Sequence, residues 1–205
     1  MKRILISAIA LLLISPAFIA WKKTPSPAPE ANEIHWITSI DELQAKMAQN
    51  PKKVYFDIYT GWCGWCKKMD ATTFQNPALI KYMNANFYAV KLDAERQDVI
   101  HFQGKEYKYD PQYKANTFAV EIMKGSMSYP TAVIMMENFQ NPIVQAGYLD
   151  VNQLETILTY FGDNAYRHQN GQDYQKSYKP RWSNGQPTGM LQKGEHGISP
   201  DGSGH

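Results

Sequence analysis

Two cysteines in a C-x-x-C spacing, placed directly after an apolar run, constrain this chain more than any other feature. The run over residues 54–59 is apolar except for Asp57, and its length and composition predict a buried strand. It ends at a Thr-Gly pair, and Cys63 and Cys66 follow where a helix can begin. The chain has 205 residues and no other cysteine, so its chemistry is to be sought first at this pair.

Cysteines at this spacing lie about one helical turn apart, so their sulfur atoms can bond or separate with little backbone movement. At the start of a helix, Cys63 would meet unpaired backbone N–H groups and the positive end of the helix dipole, and both favour the nucleophilic thiolate. Lys67 and Lys68 add positive charge nearby. We therefore expect Cys63 to be the exposed attacking thiol and Cys66 the shielded thiol that resolves a mixed disulfide.

Two other roles for the pair fit less well. A structural disulfide across so short a loop would contribute about 2 kcal/mol, against about 4.7 kcal/mol for a loop of about 100 residues. Structural zinc requires four nitrogen or sulfur ligands, whereas the chain has one cysteine pair and its next histidine, His101, has no partner in a metal-binding spacing. The pattern favours redox chemistry and implies no metal or organic cofactor.

The residues around the pair resemble a known family over residues 34–161. Those that carry the resemblance are Asp57, Trp62, the motif Cys-Gly-Trp-Cys-Lys at 63–67, and Tyr129-Pro130-Thr131. Together they are similar to the thioredoxin superfamily, and residues 54–93 are most similar to its periplasm-facing thiol-disulfide reductases. The resemblance implies an α/β, thioredoxin-like fold in which helices flank a mixed central sheet.

Trp65 departs from thioredoxins proper, which carry proline at that position. The two residues between the cysteines tune the redox potential in this family, so the direction of electron flow stays open. Reduction of disulfides is the first hypothesis, because the segment around the motif is most similar to extracytoplasmic reductases. A net oxidant or isomerase on the same fold is one alternative, and a non-catalytic binding module that uses an inserted hairpin is another.

The resemblance also implies a proton-transfer pair beside the cysteines. Asp57 lies in an otherwise apolar strand, where burial would raise the pKa of its carboxyl. The matching aspartate of the family exchanges a proton with the second cysteine, here Cys66, and Lys91 matches a lysine that the family places near it. The alternative for Asp57 is a solvated strand edge.

The segment Tyr129-Pro130 is expected to lie against the dithiol, with a cis bond before Pro130 and with the Tyr129 backbone pairing with the substrate chain. Only about 5–6% of X–Pro bonds are cis, so this expectation rests on the resemblance. An ordinary strand-entry proline is the alternative. Trp62, Gly64 and Trp65 complete the predicted substrate-binding set, with the indoles forming an apolar platform. For Trp62, packing against the fold is the alternative.

Periodicity and capping signals predict the order of the elements. The first five are β-α-β-α-β, which implies parallel pairing of the strands that helices connect. Helix caps are predicted at Ser39, at Asn76 before a first-turn proline, and at Asp150. The predicted strands are 34–38, 53–59, 87–92, 131–136 and 143–148, and the predicted helices are 40–49, 64–73, one from 77, about 112–123, 151–162 and one short docked helix within 163–181.

Between Lys91 and Pro130 the chain is longer than a minimal thioredoxin fold requires. Short runs of alternating polarity flank a glycine over residues 99–109, which predicts a hairpin. We expect an insertion over about 94–111, after which the helix at 112–123 returns the chain to the core.

The ends of the chain lie outside the predicted domain at 34–181. Lys2-Arg3 precedes an uncharged stretch, which is typical of a signal peptide or membrane anchor at 1–21. Proline-rich residues 22–33 predict an extended linker, and residues 182–205 have too little apolar content to fold.

Composition adds two limits. A hydrophobic fraction of 43% supports one domain with a substantial core, and a net charge of +2 without a block of like charges gives no case for nucleic acid. We expect an exported monomer at the periplasm or the extracytoplasmic face of a membrane. Its partners would be protein disulfides and a membrane thiol electron donor, with a membrane tether if the apolar stretch is retained.

Overall fold

The computed structural model describes residues 32–183. Its strands and helices, in chain order, are β1 (Trp36–Ile37), α1 (Ile40–Gln49), β2 (Lys53–Tyr59), α2 (Gly64–Ala71), α3 (Pro77–Asn86), β3 (Phe87–Asp93), β4 (Ile100–Phe102), β5 (Lys105–Tyr107), β6 (Tyr109–Asp110), β7 (Ala115–Asn116), α4 (Thr117–Ile122), β8 (Thr131–Met135), β9 (Ile143–Ala146), α5 (Val151–Gly162) and α6 (Gly171–Ser177). Short 3-10 turns, Thr73–Gln75 and Ala165–Arg167, precede α3 and α6.

A five-stranded mixed sheet with the order β1-β3-β2-β8-β9 forms the centre of the fold. Strands β1 and β2 run parallel to β3, whereas β8 runs antiparallel to β2 and β9 antiparallel to β8. The predicted parallel pairing of the first three strands and the predicted mixed sheet are confirmed. Because β2 is the middle strand, the dithiol that follows it emerges from the centre of the sheet.

The alternating side chains of β2 divide the core into two layers. Val54, Phe56 and Ile58 pack in one apolar cluster with residues of α1 and α4. Tyr55 packs in the other cluster, with residues of α2, α3 and α5. Asp57 is two residues after Tyr55 and therefore lies on the same face of the sheet, the face that α2 covers.

Side-chain caps start three helices where the sequence predicts them. Ser39, Asn76 and Asp150 each accept a hydrogen bond from the backbone N–H three residues further along the chain. Pro77 stands at the first position of α3, where its missing N–H would have no partner within the helix. These contacts are local, which is why sequence patterns alone locate them.

A hairpin of β4 and β5 is present at 100–107, where the alternation of polarity predicts one. Its two turn residues, Gln103 and Gly104, have φ values of 50° and 78°, and a tight hairpin turn of this type requires positive φ at both. The side chain of Gln44 in α1 donates to the carbonyl of His101 at 2.9 Å and accepts from the N–H of Gln103 at 2.9 Å. The hairpin is therefore docked on α1.

The predicted helix at 112–123 is wrong in its first part. Helix α4 begins only at Thr117, because residues 109–116 form a second hairpin, in which β6 pairs with β7. Lys114 in this hairpin has a φ of 51°, which is incompatible with a right-handed helix.

Two polar side chains explain the second hairpin. The Asp110 carboxylate accepts from the N–H of Gln112 at 2.8 Å and closes the turn. The buried side chain of Asn116 accepts from the N–H of Phe118 at 3.0 Å and caps α4 there. Such local side chain–backbone bonds compete with helix formation, and the apolar spacing alone did not show them.

The two edge strands are shorter than predicted. Strand β1 covers Trp36–Ile37 rather than 34–38, and β9 ends at Ala146 rather than at residue 148. Gly147 has a φ of 97°, which turns the chain out of the strand, and its N–H donates to the carbonyl of Pro130 at 2.8 Å.

The short docked helix predicted within 163–181 is present as α6. Trp182, which the sequence places in the tail, is docked as well. Its ring lies 5.0 Å from that of Tyr82, and its carbonyl accepts from the Asn76 side chain at 2.8 Å. A single anchoring indole leaves no periodic signal, so the predicted start of the tail was too early.

The predicted signal peptide or anchor at 1–21, most of the linker at 22–33 and the remaining tail lie outside the described residues. Within 32–183, no helix is both long and apolar enough to cross a membrane.

Candidate active site

The dithiol lies where β2 passes into α2. Cys63 is the N-cap of α2, and its Sγ accepts a hydrogen bond from the backbone N–H of Cys66 at 3.1 Å. The two residues are joined by a disulfide bond, so the structure shows the oxidised form. The predicted position of the pair at a helix start is therefore correct, and Cys63 is the sulfur that meets the free N–H groups of the helix.

The predicted difference in exposure between the two cysteines is not found. Cys63 is 4% exposed and Cys66 is 2% exposed, so Cys63 is not an exposed residue in this form. The physical reason is that the Cys63 sulfur is bonded to the buried Cys66 and accepts a backbone hydrogen bond at the helix start. The asymmetry of the pair lies in its position on the helix rather than in solvent contact.

Trp62 stands beside the disulfide with 68% of its surface exposed. It is nevertheless held in place, because its Nε1 donates to Glu95 at 2.9 Å and its ring contacts that of Tyr129 edge-on at 5.9 Å. The indole is thus held by the fold, as the packing alternative expects, and it still presents an open face to solvent, while its role in binding a partner stays a prediction.

Trp65 directly precedes Cys66 and is 56% exposed. Its ring lies 5.5 Å from that of Tyr148, and the Lys68 ammonium lies 4.6 Å from its centre. Between the two indoles, a side chain at Gly64 would meet no atom within 4 Å, so the surface over the start of α2 is open.

The segment before β8 contributes the third side of the site. The peptide bond between Tyr129 and Pro130 is cis, as the resemblance implies. Burial, together with the negative charges of Glu95 and Asp93, raises the pKa of Tyr129 to about 12. Because the Tyr129 ring contacts Trp62, this segment lies against the dithiol loop, as expected.

Beneath this surface lies a cluster of one lysine and two aspartates. The Lys91 ammonium is 2.5 Å from the Asp57 carboxylate and also contacts the carboxylate of Asp70. The Asp57 side chain is 2% exposed and that of Lys91 is 15% exposed, whereas that of Asp70 is 47% exposed. The predicted proximity of Lys91 to Asp57 is therefore observed, and the solvated-edge alternative for Asp57 is excluded by its burial.

Burial and the neighbouring charges have opposite effects on the pKa values of Asp57 and Lys91. Burial raises the pKa of Asp57, and the attraction and hydrogen bond of Lys91 lower it without cancelling that effect. Burial alone would lower the pKa of Lys91, but the two carboxylates outweigh it and the pKa is raised. The cluster thus holds a charged lysine beside a carboxyl that takes up a proton more readily than an ordinary aspartate.

Several residues of the site were not predicted from the sequence. Asp70 had one usable signal, since it stands four residues after Cys66 and so lies on the same face of α2. Lys68 was noted only as a nearby positive charge, and Glu95 and Tyr148 had no signal, because all three contact the indoles in a way that depends on the fold.

The described part of the molecule has a cavity of about 750 Å³ away from the dithiol, between β8, β9, α5 and α6. None of the residues that line it is charged, and none belongs to the dithiol site. Among residues 32–183, no three His, Cys, Asp or Glu side chains lie close enough together to hold a metal ion.

Comparisons with known proteins identify the family of this chain. The family model described as "Thioredox_DsbH: Protein of unknown function, DUF255" matches residues 27–161, about two thirds of the chain. Uncharacterized protein B0495.5 of Caenorhabditis elegans is 35% identical over 80 residues, which are 38% of this chain and 11% of that protein. Thiol:disulfide interchange protein DsbD of Vibrio vulnificus is 29% identical over 99 residues, 44% of this chain and 16% of that protein. The chain thus spans less than a fifth of either relative.

Two solved structures are among those similar to this chain. A putative disulphide-isomerase from Bacteroides thetaiotaomicron is 20% identical with a TM-score of 0.48, and the match covers 69% of this chain and all of that one. A thioredoxin-fold protein from Helicobacter pylori is 18% identical with a TM-score of 0.46, over 62% of this chain and 80% of that one. The family match over 27–161 carries the assignment: this chain belongs to the Thioredox_DsbH family and has a thioredoxin-like fold.

Proposed function

We propose that this protein is a thiol-disulfide oxidoreductase that reduces disulfides of exported proteins through Cys63 and Cys66. The observation that carries the proposal is the position of the disulfide, at the start of a helix and beside a cis-proline segment. A cross-link over two intervening residues contributes little to stability, so a stabilising role does not account for it.

The reaction begins from the reduced protein. The Cys63 thiolate attacks one sulfur of a partner disulfide, that S–S bond breaks, and the second partner sulfur leaves as a thiolate that takes up a proton. Cys66 then loses its proton and attacks Cys63, which forms the disulfide seen here and releases the first partner sulfur as a thiol. Two electrons pass to the partner, and a dithiol donor must return two electrons to this protein before the next cycle.

Asp57 is proposed to accept the Cys66 proton in the second step. Its buried carboxyl has a raised pKa, so it binds a proton more readily than an exposed aspartate does. Lys91 is proposed to hold this carboxyl in place and to limit the rise of its pKa.

The surface around the disulfide suits an extended polypeptide. Trp62 and Trp65, which directly precede Cys63 and Cys66, offer two exposed aromatic faces. Glu95 beside Trp62 and Lys68 beside Trp65 give the two flanks opposite charges, which favours partner segments with a basic residue on one flank and an acidic residue on the other. The Tyr129 backbone is proposed to pair with such a segment.

An extracytoplasmic location is part of the proposal. It is supported by the charged start and apolar stretch of residues 1–21, followed by the proline-rich linker, and by the similarity to the protein named DsbD. A membrane thiol protein is the proposed electron donor, and the apolar stretch serves either as a cleaved signal or as a tether.

The proposal is tested by reduction of insulin with dithiothreitol as the electron source, comparing the protein with Cys63→Ser and Cys66→Ser. We expect turnover by the unchanged protein and none by Cys63→Ser, whereas Cys66→Ser should accumulate a mixed disulfide with insulin. Equal turnover by the unchanged protein and Cys63→Ser, or none by the unchanged protein, would favour a binding module instead.

The direction of electron flow needs a second measurement. The equilibrium constant with glutathione gives the redox potential of the pair, and a potential near those of thioredoxins, about −270 mV, supports a reductase. A potential near about −120 mV would instead identify a net oxidant.

A further inference from the structure

Asp70 belongs to the site by its contacts, although the proposed reaction does not use it. The Lys91 ammonium contacts the carboxylates of both Asp57 and Asp70. One positive charge is therefore divided between two negative groups, of which only Asp57 is deeply buried.

The helix geometry ties this cluster to the dithiol. Asp70 follows Cys66 by four residues in α2, so the two side chains lie on one face of the helix, one turn apart. The chain of contacts from Asp57 through Lys91 to Asp70 therefore ends one turn below the resolving cysteine.

Lys91 is held by more than its two carboxylates. The rings of Trp36, Tyr59 and Phe74 lie 5.1, 5.1 and 5.2 Å from its ammonium group. Loss of Asp70 would therefore leave the ammonium within reach of Asp57 rather than release it to solvent.

Few charged groups lie close to the Asp57 carboxyl. Lys91 faces it from β3 and Asp70 from α2, and the residue opposite it on β8 is Ala132, which has no charge. Tyr55 and Tyr59 on its own strand have raised pKa values, Tyr55 through burial and the nearby aspartates, so both are neutral near neutral pH. Asp70 is thus the one carboxylate among these groups, and Lys91 the one cation.

We propose that Asp70 is a positioning residue of the dithiol site, which holds the Lys91 ammonium between two carboxylates and so weakens the stabilisation that Lys91 gives to ionised Asp57. Its negative charge acts on Asp57 in the same direction by direct repulsion. The consequence for the reaction, that Asp57 stays ready to accept the Cys66 proton, rests on the proposed function.

The test is the titration of the Asp57 carboxyl carbon, followed by NMR in the oxidised protein, where no turnover is needed. Asp70→Asn should shift the Asp57 titration to lower pH, because Lys91 then serves Asp57 alone. Lys91→Gln should shift the Asp57 titration to higher pH. Asp70→Glu, which keeps the negative charge, should leave the titration near its position in the unchanged protein. Asp41→Asn, which removes the same charge from α1, should leave it unchanged.

An Asp57 titration that stays in place or moves to higher pH in Asp70→Asn, with the fold intact by circular dichroism, would overturn the proposal. So would an equal shift in Asp41→Asn, since the effect would then be one of net charge. The expected shifts in a protein that reduces no disulfide would support the role of Asp70 and overturn only the proposed function. In an active protein, the pH dependence of insulin reduction should follow the Asp57 titration in each variant.

Discussion

Asp57 and Glu155 are both carboxylates inside the fold, and their partners differ in kind. Asp57 is 2% exposed and faces one ammonium group, which a second carboxylate shares. Glu155 is fully buried and accepts from the Tyr178 hydroxyl at 2.8 Å, from the N–H of Arg181 at 2.8 Å and from the N–H of Trp182 at 2.8 Å.

The difference separates a carboxylate that is fully hydrogen-bonded from one that we propose to be reactive. The hydrogen bonds from these donors compensate the charge of Glu155 and hold the segment after α6 against α5. They therefore contribute to the stability of the fold. Asp57 has fewer donors, and its pKa is raised by burial because its charge is not fully compensated. A carboxyl left in this condition costs stability and is available for proton transfer.

The largest expected effect is at Glu155. Glu155→Ala would leave two backbone N–H groups and a tyrosine hydroxyl without their acceptor, and it should lower the free energy of unfolding by about 3 kcal/mol or more. Urea denaturation measures this, and protease cleavage after residue 163 should accelerate. Glu42→Ala, which removes an exposed pair with Lys46, should change the free energy by less than about 1 kcal/mol. Equal stability of the two variants would contradict the structural role of Glu155.

Asp57→Asn should lower the rate of insulin reduction without lowering stability, whereas Glu155→Ala lowers stability. Insulin reduction should fall about tenfold or more, because the proton acceptor of Cys66 is lost. The free energy of unfolding at neutral pH should not fall, since a buried charge is removed and Lys91 keeps its contact with Asp70. Turnover and urea denaturation give the two values, with Asp41→Asn as the matched control. If Asp57→Asn is fully active, or clearly less stable than the unchanged protein, the proposed difference between Asp57 and Glu155 is wrong.

The pH dependence of stability sharpens the same contrast. The pKa of Asp57 is higher in the folded protein than in the unfolded chain, so its ionisation opposes folding. Its contribution to stability is present at pH values below the unfolded pKa and is lost as pH rises through the folded pKa. The stability of Asp57→Asn relative to the unchanged protein should therefore increase with pH across this range and level off above it. Urea denaturation at several pH values measures the difference, and a difference that is flat or reversed would contradict the raised pKa.

The smallest effect is expected at Trp62, on the exposed surface around the disulfide. Trp62→Ala should raise the KM for insulin about threefold with little change in kcat, because an exposed aromatic face for the partner is lost. Tyr113→Ala removes an exposed ring elsewhere on the surface and serves as the control. An equal KM for the two variants would remove Trp62 from the binding surface.

Elements set by local patterns could be predicted from the sequence. The strand before the dithiol, the helix caps at Ser39 and Asn76, and the hairpin around Gly104 depend on neighbouring residues and were located correctly. The start of α4 was missed because Asp110 and Asn116 bind backbone groups that a helix would otherwise use.

Contacts between distant segments could not be predicted in the same way. Nothing near Glu155 in the sequence indicates its donors, which come from a segment more than 20 residues away. The burial of Cys63 was missed for a related reason, since the spacing locates the cysteine at the helix start but does not show how far the folded chain covers it. The resemblance indicated Asp57, Lys91 and Pro130 as site residues, whereas the contact of Asp70 with Lys91 became visible only in the folded chain.

The order in which the two sulfurs react tests the account most directly. The fully reduced protein is treated with a limiting amount of iodoacetamide at neutral pH, and the labelled peptides are identified by mass spectrometry. Cys63, at the N-cap of α2, should carry the label before Cys66 does. If Cys66 is labelled first, or if both react at the rate of an ordinary thiol, Cys63 is not the attacking sulfur and the proposed reaction is wrong.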